Sequence, residues 1–344
     1  MKHKKIFSIF SVILLTSCQD VREEKPLDSY RATLSFYNDS FNIMQLTDIH
    51  WNYTTDVKES KKYMLALLDN ALLQEGHVDL VTITGDLFLD ANKYLVEELF
   101  RFLSSWNLPI AITYGNHDKE GTWNTDWMNK MVSESKNFIA KIVDNDNVFG
   151  DTNYFIDIKD GNDVSWQIYM MDSNTLARKN GIKYQYDNIH EDQVEWMKRV
   201  ANSNSTPVPS LGFIHIPPKE LNNAIEEMDK DHSKHIMGEM NEANCATKLD
   251  SSFFSEAKNI GMKGIFFGHD HTNDLVVNYQ DMILGYGVKS NPELYAYKDN
   301  LGMDHTGYAL YSLKKDKSWS LKHVFMKYPK GDKIVESQTW ESNL

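Results

Sequence analysis

From Phe41 onward, apolar positions alternate between two spacings. Phe41-Asn42-Ile43-Met44-Gln45-Leu46-Thr47 places apolar side chains near every second position and predicts a strand. Over 58–75, Met64, Leu67, Leu68, Ala71 and Leu72 fall on one helical face, and Gly76 supplies a stop. Asp79 to Thr84 is an apolar, β-branched strand. Asn92 to Trp106 is a second amphipathic helix with Leu95, Leu99, Phe102 and Leu103 inward, and Pro109 to Tyr114 is a third strand. Strands alternating with helices argue for βαβ units and an α/β sheet. Thr125 to Ser135, Glu191 to Asn202 and Ser252 to Lys258 read as further helices. Ser165 to Asp172, Leu211 to Ile216 and Gly264 to Phe267 read as strands. Met282 to Tyr286, Gly307 to Leu313 and Ser318 to Phe325 read as late antiparallel strands, the last two joined by a turn at 314–317. There is no internal repeat or low-complexity tract.

The pattern breaks at the N-terminus. Lys2, Lys4 and Lys5 precede a short apolar run, Ile6 to Leu15, which is half the roughly 20 residues a membrane span needs. A basic start, a short apolar core and small residues before a cut predict a signal peptide. Leu15-Thr16-Ser17-Cys18 resembles a bacterial lipobox, which implies that Cys18 becomes the lipidated first residue. The expected organisation is therefore a signal peptide over 1–17, a tether over 18–38 with Arg22-Glu23-Glu24-Lys25-Pro26, and a folded body over 39–344. The expected location is the bacterial cell envelope, lipid-anchored.

Charge and cysteine count narrow the function classes. The 344 residues carry 36 Lys+Arg and 49 Asp+Glu, a net −13, which argues against a broad nucleic-acid-binding surface. Removing three lysines with the signal peptide gives −13 − 3 = −16. The two cysteines, Cys18 and Cys245, exclude a disulfide scaffold or a four-cysteine zinc site. With Cys18 consumed, Cys245 is left as a structural thiol. The chain is expected to act as a monomer.

Chemistry-bearing residues gather where the strands end. Asp48-Ile49-His50, Gly85-Asp86, Gly115-Asn116-His117-Asp118, His215 before Pro217-Pro218, and Gly268-His269-Asp270-His271 follow five separate strands. In α/β sheets ligands collect at the carboxyl ends of strands, so these clusters should converge. Imidazole with carboxylate suits zinc, iron or manganese rather than calcium. Two metals sharing a site need a bridging carboxylate and can turn a water into a nucleophile. A further imidazole off the metals can protonate a leaving group.

These five blocks, in this order over about Asn42 to Thr272, resemble the calcineurin-like metallophosphoesterase superfamily. The resemblance implies a four-layer αββα sandwich with two mixed sheets flanked by helices. It implies two metal ions (manganese, iron or zinc), with Asp48, His50 and His271 on one, Asn116, His215 and His269 on the other, and Asp86 between. It further implies that a bridging hydroxide attacks phosphorus, that His117 is the general acid oriented by Asp118, and that Asn116 and His117 contact the phosphoester. Leu89 stands where purple acid phosphatases carry an iron-binding tyrosine, so no iron–tyrosinate centre is expected. The stretch Phe213 to Pro218, Cys245 and Phe253-Phe254 is similar to a branch related to those enzymes but lacking the tyrosine. Phosphomonoester hydrolysis leads, with a phosphodiesterase or nucleotide hydrolase on the same site, or a non-catalytic binding lipoprotein, as alternatives.

Among aromatics near the motifs, Trp51 and Trp123 are expected at the pocket rim and Trp127 in the core, with Tyr53, Tyr114, Tyr184 and Tyr186 as further wall candidates. His77, His190, His232, His235, His305 and His323 read as surface or cap residues, and His232 and His235 as neighbours on one helical face. Glu226 to Asp229 reads as a solvated face.

Overall fold

The computed structural model describes residues 25–120, 125–143, 147–298, 304–328 and 335–341. The signal peptide, Cys18, the start of the tether and Trp123 lie outside them.

The strands in chain order are β1 (Arg31–Ser35), β2 (Ser40–Leu46), β3 (Leu80–Thr84), β4 (Ile110–Thr113), β5 (Tyr154–Asp160), β6 (Asp163–Met170), β7 (Leu176–Lys179), β8 (Ile182–Tyr186), β9 (Ser210–Phe213), β10 (His235–Met237), β11 (Met262–Phe267), β12 (Val276–Tyr279), β13 (Met282–Tyr286), β14 (Tyr297–Lys298), β15 (Asp304–Lys314), β16 (Trp319–Tyr328) and β17 (Val335–Glu341). The helices are α1 (Val57–Glu75), α2 (Lys93–Ser104), α3 (Thr125–Glu134), α4 (Glu191–Asn202), α5 (Glu220–Lys230) and α6 (Phe253–Asn259). One mixed sheet runs β1-β5-β6-β9-β11-β13-β12-β10, and a second runs β17-β16-β15-β2-β3-β4 with β14 beside β15. Strands β7 and β8 form a hairpin of their own. No helix among the described residues is long and apolar enough to cross a membrane.

Two cores hold the layers together. In the first, Phe41, Ile43 and Leu80 from one sheet meet Phe213 and Phe266 from the other, and Trp196, Leu221 and Phe253 cover the far side of the first sheet. In the second, Met64, Leu67, Leu99 and Leu103 of α1 and α2 cover Met44, Val81 and Ile112 on the outer face of the second sheet. The result is helices, sheet, sheet, helices: the expected αββα sandwich.

Local chemistry sets the element ends. Asp56 caps α1 by accepting the Lys58 and Glu59 N–H groups at 3.1 and 3.2 Å, and Gly76 ends it at φ 77°. Asn92 caps α2 by accepting the Leu95 N–H.

One boundary is corrected. The tether expected to reach residue 38 ends sooner, because β1 pairs in parallel with β5 from Arg31↔Phe155 to Ser35↔Lys159. Tyr30 is buried against Trp196, with ring centroids 5.6 Å apart. The pairing is long-range and parallel, so local periodicity carries no trace of it. His232 and His235 do not share a helix: one lies in a 3-10 turn and the other begins β10. His323, read as a surface residue, is fully buried.

If the body begins before residue 39, Tyr30→Ala should cost about 3 kcal/mol, as for a buried aromatic truncated to alanine. Chemical denaturation measures it, and a change under about 0.5 kcal/mol would return this segment to the tether.

Candidate metal centre

The strand ends converge across the gap between the sheets. Asp48, Asp86 and Asn116 follow β2, β3 and β4 of one sheet, and His215 and His269 follow β9 and β11 of the other. Ligand atoms of Asp48, His50 and His271 lie within 4.8 Å of one another, and so do those of Asp86, His215 and His269. Asp86 links the two groups, its Oδ2 standing 3.5 Å from His50 Nε2 and 3.3 Å from His215 Nε2. Asn116 joins the second through its Oδ1, 3.1 Å from His215 Nε2.

Glycines let the strand ends approach this closely. A Cβ on Gly115 would overlap the Asp86 carboxylate, and one on Gly268 would overlap the Thr47 hydroxyl beside Asp48. Several ligands hold a backbone that L-residues seldom adopt, with φ of 53° at Asp48, 51° at His50, 50° at Asp86 and 82° at His269. Each such residue costs on the order of 1–3 kcal/mol and persists only where its surroundings enforce it.

Much of that enforcement comes from a segment outside the five sequence blocks. Ser290 exchanges bonds with Thr47 (N–H to O, 2.9 Å; Oγ from N–H, 3.0 Å). Lys289 Nζ donates to Asp48 O at 2.7 Å, and Asn291 Nδ2 to Ile49 O at 2.9 Å. Lys289-Ser290-Asn291 thus grips Thr47, Asp48 and Ile49 in succession. The clue was available: the segment follows β13, which pairs in parallel with β11, so it is one more polar cluster at a strand's carboxyl end.

The site's charges are tightly balanced. Burial opposes ionisation of Asp48 and Asp86, but the surrounding histidines override it and hold both carboxyls below the usual range. Burial also opposes a charge on His215, yet the Asp86 and Asp48 carboxylates push its pKa up to about 10. His269 is driven down to about 3 by burial and by His215, and burial lowers His271 and His50 as well. Lys289, 3% exposed, is lowered by burial to about 8.

These donors fit metal ions. His215 Nδ1 lies 2.8 Å from Thr84 O, a bond that fixes the ring and leaves Nε2 toward Asp86. His50 Nδ1, His271 Nδ1 and both ring nitrogens of His269 are buried without a protein partner. The Nε2 atoms of His50 and His271 face each other at 2.8 Å. Buried unpartnered imidazoles converging on two carboxylates are the donor set of a two-metal centre.

His117 and Asp118 part company. The His117 backbone N–H donates to Asp86 Oδ1 at 2.9 Å, while its ring, about one-third exposed, sets Nδ1 2.5 Å from Glu120 Oε2. Asp118 accepts the Gly115 and Phe88 N–H groups at 2.8 and 3.1 Å, fastening the loop after β4 to the loop after β3. The expectation that Asp118 orients the His117 ring is corrected: Glu120 stands at Nδ1. Burial, with Asp86 nearby, pushes the Asp118 carboxyl up to about 7.

The aromatic expectations divide. Trp51 is fully buried, donates to Ser60 Oγ at 2.7 Å and stacks on Phe102, so it is core and not rim. Tyr114 is also buried. Tyr186 meets His269 edge-on at 4.3 Å, and Tyr295, not singled out from sequence, lies 4.4 Å from His271. Leu89 is half-buried and lines a cavity with Asn52 and Tyr53. None of the six histidines set aside joins either ligand group.

A family model described as calcineurin-like phosphoesterase matches residues 41–273. The chain belongs to that family. Among relatives, it is 26% identical over 327 residues to an Arabidopsis thaliana protein named probable inactive purple acid phosphatase 14, covering 82% of this chain and 78% of that one. It is 25% identical over 258 residues to the Saccharomyces cerevisiae phosphatase DCR2, covering 68% of this chain but 44% of the yeast protein. A solved dimetal phosphatase from Danio rerio shares the fold with a TM-score of 0.52 at 13% identity, covering 87% of this chain and 98% of that one.

Adding Mn2+ at a hundredfold its dissociation constant should stabilise the protein by about 2.7 kcal/mol, read as a rise in melting temperature. Asp86→Asn should abolish most of that rise. A wild-type melt indifferent to Mn2+, Zn2+ and Fe2+ would contradict a metal centre here.

Proposed function

We propose that this chain hydrolyses phosphoesters at a two-metal centre. One observation carries the reading: Asp86 of one ligand group stands 3.5 Å from His50 Nε2 of the other, and His117, its N–H on Asp86 and its ring 5.6 Å from that of His50, is backed by a carboxylate. Asp48, His50 and His271 would hold one ion, Asn116, His215 and His269 the other, with Asp86 between them. Bound metals supply Lewis acidity and a water acidic enough to serve as nucleophile near neutral pH.

The protein's own groups do the rest. His117 keeps Nδ1 on Glu120, leaving Nε2 to give a proton to the departing oxygen. Asn116 turns Oδ1 toward His215, which leaves its amide N–H groups for a phosphoryl oxygen. The His117 N–H fixes Asp86, so the proton donor and the shared carboxylate are positioned together. The word "inactive" in the Arabidopsis relative's name belongs to that protein; here every ligand position that the chemistry requires is filled.

We place the activity at the cell envelope, on a lipid at Cys18. The short apolar run and the lipobox-like ending support this, and Cys18→Ser should release the protein from the membrane fraction. A non-catalytic binding role predicts instead that Asp86→Asn leaves the biological phenotype intact.

The assay is p-nitrophenyl phosphate against its bis ester, which also separates monoesterase from diesterase. His117→Ala should lose about 10²–10⁴-fold in turnover while keeping its metals. No turnover of either ester after Mn, Zn or Fe is supplied would sink the proposal.

A further inference from the structure

Cavities beside the metal centre differ in charge, and the difference points to a kind of substrate. One of about 430 Å3 is lined by His271 and Lys289 but also by Glu239 and Asp274. A second, of about 680 Å3, includes Tyr53 and Leu294 together with Asp90, Glu293 and Asp304. Both carry carboxylates in their walls, which disfavours an anionic group there.

A third cavity, of about 490 Å3, lies between the β7–β8 hairpin and residues 244–248. Lys183, Tyr184, Tyr186 and Lys248 line it, and no carboxylate does. Neither lysine has a carboxylate partner among the described residues. In a chain of net −13, this cavity is flanked by two lysines with no carboxylate in its lining, although Asp270 stands behind it on the Cys245 N–H. Cys245, also in the lining, stays a neutral thiol because burial and Asp270 push its pKa up to about 11.

Tyr186 joins this cavity to the reaction site. It is half-buried, its ring packs edge-on against His269, and its hydroxyl feels the charges of Asp86 and Glu120. Through that ring contact, 4.3 Å between centroids, it stands beside the ligand group of Asp86, His215 and His269 while also lining the cavity. Beyond it, Tyr184 offers a ring that is 52% exposed, free to pack against a flat group. The hairpin belongs to neither main sheet and carries Asn180 at φ 53° and Gly181 at φ 80° in its turn.

We propose that this cavity is the leaving-group subsite and that it selects phosphoesters whose leaving group is an aromatic ring bearing a second negative charge. The ring packs between Tyr186 and Tyr184, and Lys183 and Lys248 hold the distal anion. This rests on the hydrolase reading: water's oxygen forms the new bond to phosphorus, the bond from phosphorus to the ring oxygen breaks, and that oxygen takes the His117 proton. Water's own proton goes to solvent.

The test compares 4-carboxyphenyl phosphate with phenyl phosphate on the metal-loaded full chain. The ratio of kcat/KM should favour the carboxylated ester by about fivefold, fall to near one in Lys183→Gln/Lys248→Gln, and survive in Lys183→Arg/Lys248→Arg. A ratio near one in the wild type, or an unchanged ratio in the glutamine variant, overturns the proposal. Calorimetry with the same two esters separates the two readings. No turnover with a binding preference intact defeats the hydrolase and leaves the subsite standing, whereas no preference in either measurement defeats the subsite.

Discussion

The structure turns on the burial of Asp86 where strand ends of the two packed sheets meet. A buried carboxylate is costly unless other groups compensate it. Here the compensation comes from His50 and His215, one from each sheet, and from the His117 N–H. Neither sheet alone carries a full set. The first contributes His215, His269 and His271, and the second contributes Asp48, His50, Asp86 and Asn116, so docking of the sheets and assembly of the centre are one event.

That arrangement explains why the ligand loops can be strained. The left-handed backbone at Asp48, His50, Asp86 and His269 would relax in isolation. Bonds running between loops prevent it: Asp48 N–H to Gly85 O, His50 N–H to Asp86 O, and Gly268 N–H to His215 O. The Lys289-Ser290-Asn291 grip adds the end of β13 to the same lattice. Lys289 sits near Asp48 and Asp86 as a buried cation, so part of the acidic cradle is offset before any metal enters.

All the helices except α5, and the central strands, were legible from periodicity, with ends within a few residues, because their patterns are local. Strand β1 was not, since its partner β5 is more than a hundred residues away, and the sequence before β2 has the composition of a tether. The ligand blocks were legible because each lies at a strand end, and three of the five carry a glycine that close approach demands: Gly85, Gly115 and Gly268. What stayed hidden was the partnership around them. Asp118 follows His117 directly and invites the reading that it orients the ring, yet the turn directs it to backbone N–H groups and brings Glu120 round to Nδ1. Trp51 follows a ligand loop, but the bridge that pairs it with Phe88 turns it into the core. Side-chain direction after a strand end depends on loop geometry, which residue order alone does not specify.

The central claim is that Asp86 is shared by two metals. Anomalous diffraction from crystals soaked in Mn2+ tests it most directly. The account predicts two peaks, one on either side of the Asp86 carboxylate, the first among Asp48, His50 and His271 and the second among Asn116, His215 and His269. A single peak, or none, would contradict it.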